Sequence, residues 1–261
     1  MQVKDIVKAI SSHHWDYKKE DIPHYIENIM EDNLIAIKNH KVLNPFNNKV
    51  VHLYANSKDE IRVIWGKIHG LYNEHPFSLW ISESLGDEVK TFIRERGFSV
   101  VEQYEGLALK LEDWKGDFKG DFSIREVKND NEINQLVEVA SEIWSYPKEE
   151  KSIQFQQRKR YIENKLGGYM IAYHGEKPVG YGNYRYSLNG DILYLCGSGI
   201  IPSYRKKGIY RQLVTTRLTQ AQEEGVKLAT CQARVGHSLP ILKKIGFGQY
   251  TTFDYWIKNN D

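Results

Sequence analysis

The chain has 261 residues, 41% of them hydrophobic and 27% charged, which is a globular composition and excludes a disordered one. That length suits one large or two ordinary domains. The net formal charge of +2 is too balanced to argue for nucleic acid as a partner, so positive charge matters only where it clusters.

In chain order, Ile6, Val7 and Ile10, then Tyr25, Ile26 and Ile29, carry helical spacing. His13 and His14 lie between them. Adjacent residues cannot share one helix face, so a packed or capping role is expected there rather than a metal pair. The nine histidines otherwise lack ligand spacing, and no metal is expected. Residues 33–37 and 50–54 read as strands around a turn at Asn44-Pro45-Phe46-Asn47-Asn48. A helix is predicted over 59–72 and a strand over 77–81. Residues 89–96 form a helix stopped by Gly97, and 100–110 a closing strand. Two glycines and alternating charge over 113–121 mark a linker between a domain at 1–112 and one at 122–261.

The second half opens with an alternating strand at 122–127. Asn129, Asp130 and Asn131 offer caps to a helix whose apolar face is Ile133, Leu136, Val137 and Ala140. Another helix spans 153–166, and a hairpin joins strands at 169–173 and 179–186. Strands are also predicted at 192–201, 227–232 and 251–257. A short helix begins at Gly236-His237-Ser238, runs from Leu239 to Ile245 and ends at Gly246-Phe247. Phe92-Ile93-Arg94-Glu95-Arg96-Gly97-Phe98 echoes Ile241-Leu242-Lys243-Lys244-Ile245-Gly246-Phe247. In both places a helix end and Gly-Phe are followed by strand-like sequence, so the halves look like an internal repeat.

The stretch from Gly199 to Leu213 organises the second half. A strand leads through Ile200-Ile201-Pro202-Ser203-Tyr204 into Arg205-Lys206-Lys207-Gly208-Ile209-Tyr210 and a helix in which Leu213, Arg217 and Leu218 share a face. A helix start offers unpaired N–H groups and the positive end of the macrodipole to an anion. Gly208 permits close approach of a ligand, and Arg205, Lys206, Lys207 and Arg211 surround the turn with positive charge. Neither the P-loop pattern nor the dinucleotide glycine spacing is present. The stretch resembles the acyl-CoA pyrophosphate loop of the GNAT acyltransferase superfamily, Arg/Gln-x-x-Gly-x-Gly/Ala after an apolar-x-Pro-x-aromatic run. Tyr210 departs from that pattern at its last position.

The resemblance covers 122–261 well and 1–112 only in outline. It implies a mixed α/β (α+β) fold in tandem, with a degenerate first half that lacks the loop and binds no CoA. It implies acetyl-CoA as cosubstrate, held by Gly199, Ile200, Ile201, Arg205, Lys206, Lys207, Gly208, Ile209, Tyr210 and Ser238. It further implies direct transfer of an acetyl group to a primary amine of a small molecule or peptide. The oxyanion donor falls at the Ile200 or Ile201 backbone. Many members carry a tyrosine acid four residues before the Gly-Phe, and here that position is Leu242, which cannot donate a proton. Ser238 and Tyr210 are the nearest replacements. Asp191, Tyr194, Cys196 and His237 are candidate bases, with Cys196 also an acyl carrier in principle, although a buried cysteine usually packs as a small hydrophobe. Tyr184 and Tyr186 fit packing.

Leu242 and the degenerate half also suit a non-catalytic acyl-CoA-binding or regulatory module, and a longer acyl chain fits the same loop. A nucleic-acid binder is disfavoured, because the basic cluster is short and few aromatics interleave it. Cys196 and Cys231 suggest a reducing compartment. Met1-Gln2-Val3-Lys4-Asp5 opens without the apolar stretch of a secretory signal. No run of 18 apolar residues is present to cross a membrane. A cytoplasmic protein with no membrane contact is expected.

Overall fold

The computed structural model describes residues 2–116, 118 and 120–259; Asp117 and Lys119 of the expected linker lie outside them. The first half contains α1 (Val3–Ser12), β1 (Ile26–Glu31), β2 (Leu34–Asn39), β3 (Lys49–Leu53), α2 (Lys58–Tyr72), β4 (Ser78–Ser82), α3 (Asp87–Arg94) and β5 (Phe98–Lys110). The second contains β6 (Ser123–Glu126), α4 (Asp130–Trp144), α5 (Lys151–Glu163), β7 (Gly168–His174), β8 (Lys177–Tyr186), β9 (Ile192–Ile200), α6 (Ile209–Glu223), β10 (Leu228–Arg234), α7 (Leu239–Ile245) and β11 (Gly248–Lys258).

Local chemistry explains most boundaries. The Ser57 side chain accepts the Glu60 N–H at the start of α2. Asn129 and Glu132 form a reciprocal capping box on α4. Gly97 and Gly246 take positive φ just beyond α3 and α7. One expectation fails. Tyr25, Ile26 and Ile29 do not form a helix; Ile26–Glu31 is a strand paired antiparallel with β2. Three apolar residues over five positions are too few to hold a helix against a hairpin partner.

All strands join one sheet in the order β1-β2-β3-β4-β11-β5-β10-β9-β8-β7-β6. The two closing strands cross over. β11, which ends the second half, pairs with β4 of the first. β5, which ends the first half, pairs with β10 of the second. β5 and β11 also pair with each other at the centre. Trp256 of β11 is therefore fully buried among Leu34, Val50, Phe92 and Phe98. Leu107 and Leu109 of β5 lie in the core formed with Leu213, Leu218 and Leu242. Each half closes its core with the other's strand.

Alternation along the strands assigns the helices to faces. Met170, Ala172, Leu193 and Leu195 pack with α6, whereas Tyr169, Ile171 and Tyr173 pack with α4. Leu34, Ala36, Leu79 and Ile81 pack with α2 and α3. Ile6 and Ile10 of α1 cover Ala108, Leu228 and Phe253. Thus α2, α3, α6 and α7 occupy one face, and α1, α4 and α5 the other.

Trp256→Ala should lower unfolding free energy by about 3–5 kcal/mol. Because the ring ties the last strand to the first half's core, chemical denaturation followed by fluorescence and by far-UV circular dichroism should show both halves destabilised in one transition.

Candidate active site

β9 and β10 pair in parallel only where Ile192–Tyr194 face Leu228–Thr230, and then they part. On the other side of β9, the register with β8 slips between Gly182↔Ser198 and Tyr184↔Leu195. Such a bulge bends the strand. The buried Arg217 of α6 fills the resulting space. Its Nε donates to the Leu213 carbonyl at 2.9 Å, one terminal nitrogen to the Asn183 carbonyl at 2.6 Å and the other to Ser198 Oγ at 3.4 Å. The register skips Asn183 on β8 and Cys196 and Gly197 on β9, so the extra residue is on β9. A Cβ on Gly182 would meet the guanidinium at 2.8 Å, which explains the glycine. Sequence spacing places Arg217 on a helix face with Leu213 and Leu218 and no more; the signal for its role is a cation on an apolar stripe.

The open edge of β9 faces the gap. The Ile201 N–H donates to the Val179 carbonyl at 3.0 Å, so it is committed to β8. Alternation along an antiparallel ladder then turns the N–H groups of Ile200 and Ser198 toward the gap. Arg205 Nε donates to the Ile200 carbonyl at 3.1 Å. Gly199 lies beneath α4, and a Cβ there would come within 2.9 Å of Ile143. Of the two possible oxyanion donors, Ile200 is the one with an available N–H.

A single 3-10 turn, Pro202–Tyr204, leads from the strand to the helix start. Lys206 has φ 64° and Gly208 φ 82°, both left-handed, and Gly208 is the N-cap of α6 without a side-chain cap. The first-turn N–H groups thus face outward uncapped. Arg205, Lys206, Lys207 and Arg211 are exposed, and none forms an ion pair among the described residues. Lys207 lies over Tyr204 and Arg211 over Phe118. The Ile209 side chain is buried, so this residue offers a ligand only backbone; Ile201 is buried too, its N–H bonded to Val179 and its carbonyl to the Tyr204 N–H, and it offers no free donor.

Tyr210 and Ser238, far apart in sequence, come together between α6 and α7. Burial pushes the Tyr210 phenol up, the nearby Cys231 thiol adds to this, and Arg217 and the Ser238 hydroxyl oppose it. The phenol is therefore a neutral hydroxyl at pH 7. Leu242 is fully buried in the core. Burial also pushes the Cys196 thiol up, with Arg185, Arg217 and Lys49 countering, so it is not a ready thiolate. Asp191 lies just before β9, at the end away from the gap, and pairs with Lys227 at 2.9 Å. The Tyr194 hydroxyl is held by Asp16 Oδ2 at 2.8 Å and by Ser12 Oγ at 2.9 Å. His237 is exposed.

The α1 face holds a polar group that sequence spacing did not connect to the site. Arg185 is buried, stacks on Tyr17 and Tyr194, and donates to the carbonyls of His13 and Asp16. The His13 and His14 rings lie 3.7 Å apart. Burial holds His13 down to about 3, with Lys49 and Arg185 adding to the effect against the Ile10 carbonyl. Burial, His13 and Lys49 hold His14 well below the ordinary imidazole value.

With this geometry in place, residues 133–247 match the acetyltransferase (GNAT) family. No curated protein matches the chain in sequence. Among solved structures, a GCN5-related N-acetyltransferase from Kribbella flavida is 17% identical, with a TM-score of 0.69 over 97% of this chain and 95% of that one. A conserved Staphylococcus epidermidis protein of unknown function is 15% identical, with a TM-score of 0.69 over 94% and 98%. A tandem GNAT protein of the clavulanic acid biosynthesis pathway is 12% identical, with a TM-score of 0.63 over 98% and 88%. At these identities the likeness is one of fold, and it runs through both halves. Residues 133–247 thus carry the family's domain, and the fold of the whole chain is that of GNAT structures, a tandem one among them.

Two imidazoles kept neutral by burial make stability depend on pH in a definite direction. As pH falls below 6.5, the unfolded chain takes up protons that the folded His13 and His14 resist. Folding therefore weakens progressively from pH 6.5 downward, and for His13 the loss levels off only near pH 3. Denaturant titrations between pH 7.5 and 5 should show this decline. His14→Gln, which stays neutral, should flatten it.

Proposed function

We propose that the protein transfers an acetyl group from acetyl-CoA directly to a primary amine. The observation that carries this reading is the gap between β9 and β10 leading straight into an uncapped, cation-ringed helix start at Gly208. The exposed edge of β9 suits the pantetheine amides, by strand-like pairing. The α6 N-terminus, with Arg205, Lys206, Lys207 and Arg211, suits the pyrophosphate. Ile200 and Ile209 contribute backbone to that path, Gly199 and Ile201 hold the strand against β8, and Tyr210 and Ser238 border it.

In the reaction, the amine nitrogen attacks the thioester carbon and the Ile200 N–H stabilises the oxyanion. The C–S bond then breaks, the amine gives up its proton, and amide and CoA thiol are the products. The CoA thiol has a pKa of about 8.5 by analogy with cysteine, so its thiolate leaves with little help. An amine near pKa 10 must first be deprotonated. Tyr210, neutral and close to Ser238, is the group we assign to protonating the leaving sulfur.

We further assign residues 1–112 to a GNAT-like half without a CoA loop, 113–121 to a linker and 122–261 to the acetyl-CoA half. Among the described residues no helix is long and apolar enough to cross a membrane, and the free thiols of Cys196 and Cys231 suit a reducing cytoplasm. The buried Leu242 favours a second reading, a CoA-binding module without turnover. CoA thiol release with a panel of amines separates the two, since only an enzyme turns over.

Calorimetry should find one acetyl-CoA per chain and a rise in Tm with ligand. Gly208→Val should abolish both, because a β-branched residue resists φ 82° and crowds the phosphate approach. Retained affinity in a folded variant, or a second equivalent of ligand, would remove the loop assignment.

The pH profile of kcat/KM should rise along one limb and not fall before about pH 9, as expected when amine deprotonation limits the reaction. Tyr210→Phe and Ser238→Ala should each lower kcat by less than about tenfold, or 1.4 kcal/mol of barrier. A loss above about a hundredfold in either, with acetyl-CoA binding intact, would show that acid assistance is essential.

A further inference from the structure

A cavity of about 290 Å³ lies on the α1 face, between the halves. At ~30 Å³ per water it holds about ten water volumes, which suits a compact molecule and not a polymer. β2 and β3 supply one wall through Ile37 and Lys49, α5 supplies another through Arg160 and Tyr161, and the segment between α1 and β1 covers it. Trp15, Tyr17 and Tyr25 line it beside Ile22, Ile26 and Leu166, so the lining is mixed aromatic and aliphatic.

Lys49 is the anomalous group. Its Nζ has no hydrogen-bond or ion-pair partner among the described residues; it lies over the Phe46 ring at 5.4 Å and the Trp80 ring at 6.0 Å. Burial holds its ammonium down to about 8, so at pH 7 it is still mostly charged. Lys49 is half-buried at the cavity wall, and its ammonium is available to a carboxylate that enters there. The other charged lining groups are Arg160 and Asp21, neighbours through the Arg160 hydrogen bond to the Asp21 carbonyl at 3.4 Å. His14 is neutral, so the lining carries one net positive charge.

The cavity also borders both strands of the gap. His14 of its lining lies 3.4 Å from Gln232 Oε1 on β10, and Arg185 stacks both on its Tyr17 and on Tyr194 of β9. Cys196 sits on β9 just beyond the last pairing with β10, where the gap begins. A cation and the strand that would present the thioester thus meet at the same end.

We propose that this cavity is the acceptor site, and that it takes a compact α-amino acid with an aromatic or branched side chain, its carboxylate paired with Lys49. An α-amino acid carries amine and carboxylate on one carbon, so a carboxylate held at Lys49 keeps the amine beside it. The aromatic and aliphatic walls receive the side chain. The first half thereby supplies substrate selection to a reaction centred on the second. This rests on the acetyltransferase reading.

The test compares phenylalanine, phenylalaninamide and phenethylamine. With acetyl-CoA saturating, CoA release should favour phenylalanine by about tenfold or more in kcat/KM, as a charge-assisted contact implies. Lys49→Met should erase that preference, Lys49→Arg should retain most of it, and acetyl-CoA affinity should stay unchanged in both. Calorimetry of phenylalanine binding to the ligand-free protein, and again with CoA present, tests the cavity without turnover. Binding that favours phenylalanine over its amide supports the site even if acetyl transfer itself fails. Equal handling of the three probes, a preference that survives Lys49→Met, or no phenylalanine binding in either calorimetric arm would overturn it.

Discussion

The exchange of closing strands is the constraint on which the rest depends. A sheet edge exposes unpaired N–H and C=O groups, and an unfinished core exposes apolar side chains. Here both problems are solved reciprocally, with β11 seated against β4 and β5 against β10. The result is one continuous sheet whose centre is made of strands from both halves. It also fixes how the halves face each other, and so where the cavity between them can form.

A second constraint operates locally at β9. Parallel strands in a sheet normally remain paired, and the gap beyond Tyr194 leaves backbone groups without partners. The bulge at Cys196-Gly197, opposite Asn183, and the buried Arg217 guanidinium make this divergence a fixed feature. A positive charge buried without a carboxylate is stable here because carbonyls and a hydroxyl take up its donors. The same helix begins at the Gly208 turn, so the support of the open β9 edge and the basic turn are built from one element.

The opposite face of the sheet is organised by desolvation. Arg185 ties the end of α1 to the sheet through the His13 and Asp16 carbonyls. The neighbouring imidazoles remain neutral, and burial makes the Lys49 ammonium give up its proton more readily than an exposed lysine would. These groups surround the place where the gap and the cavity approach each other. Charge there is scarce, and its few carriers therefore have large effects on what can enter.

Some of this was legible in the chain alone. The Gly208 turn, with its proline and basic flank, is written in contiguous residues, because backbone handedness and helix-terminal charge are local properties. The helices capped by Ser57 and Asn129 and stopped by Gly97 and Gly246 are local in the same sense. Even the repeat between the halves shows in two short helix ends. Strand partners were not legible, since a strand's own alternation says which face is buried and not which neighbour it pairs with. The spacing of Tyr25, Ile26 and Ile29 suits a helix, yet Ile26 and Ile29 lie in a hairpin strand because β2 is there to pair with them. The pairing of Leu228 with Lys110 and of Tyr255 with Trp80 joins residues more than a hundred positions apart. Lys49, His14 and Tyr161 likewise meet only because the sheet brings the two halves together. Sequence determined the glycine turn with its basic flank and most of the element types; the tertiary structure decided the exchange, the gap and the cavity, because each rests on contacts between distant segments.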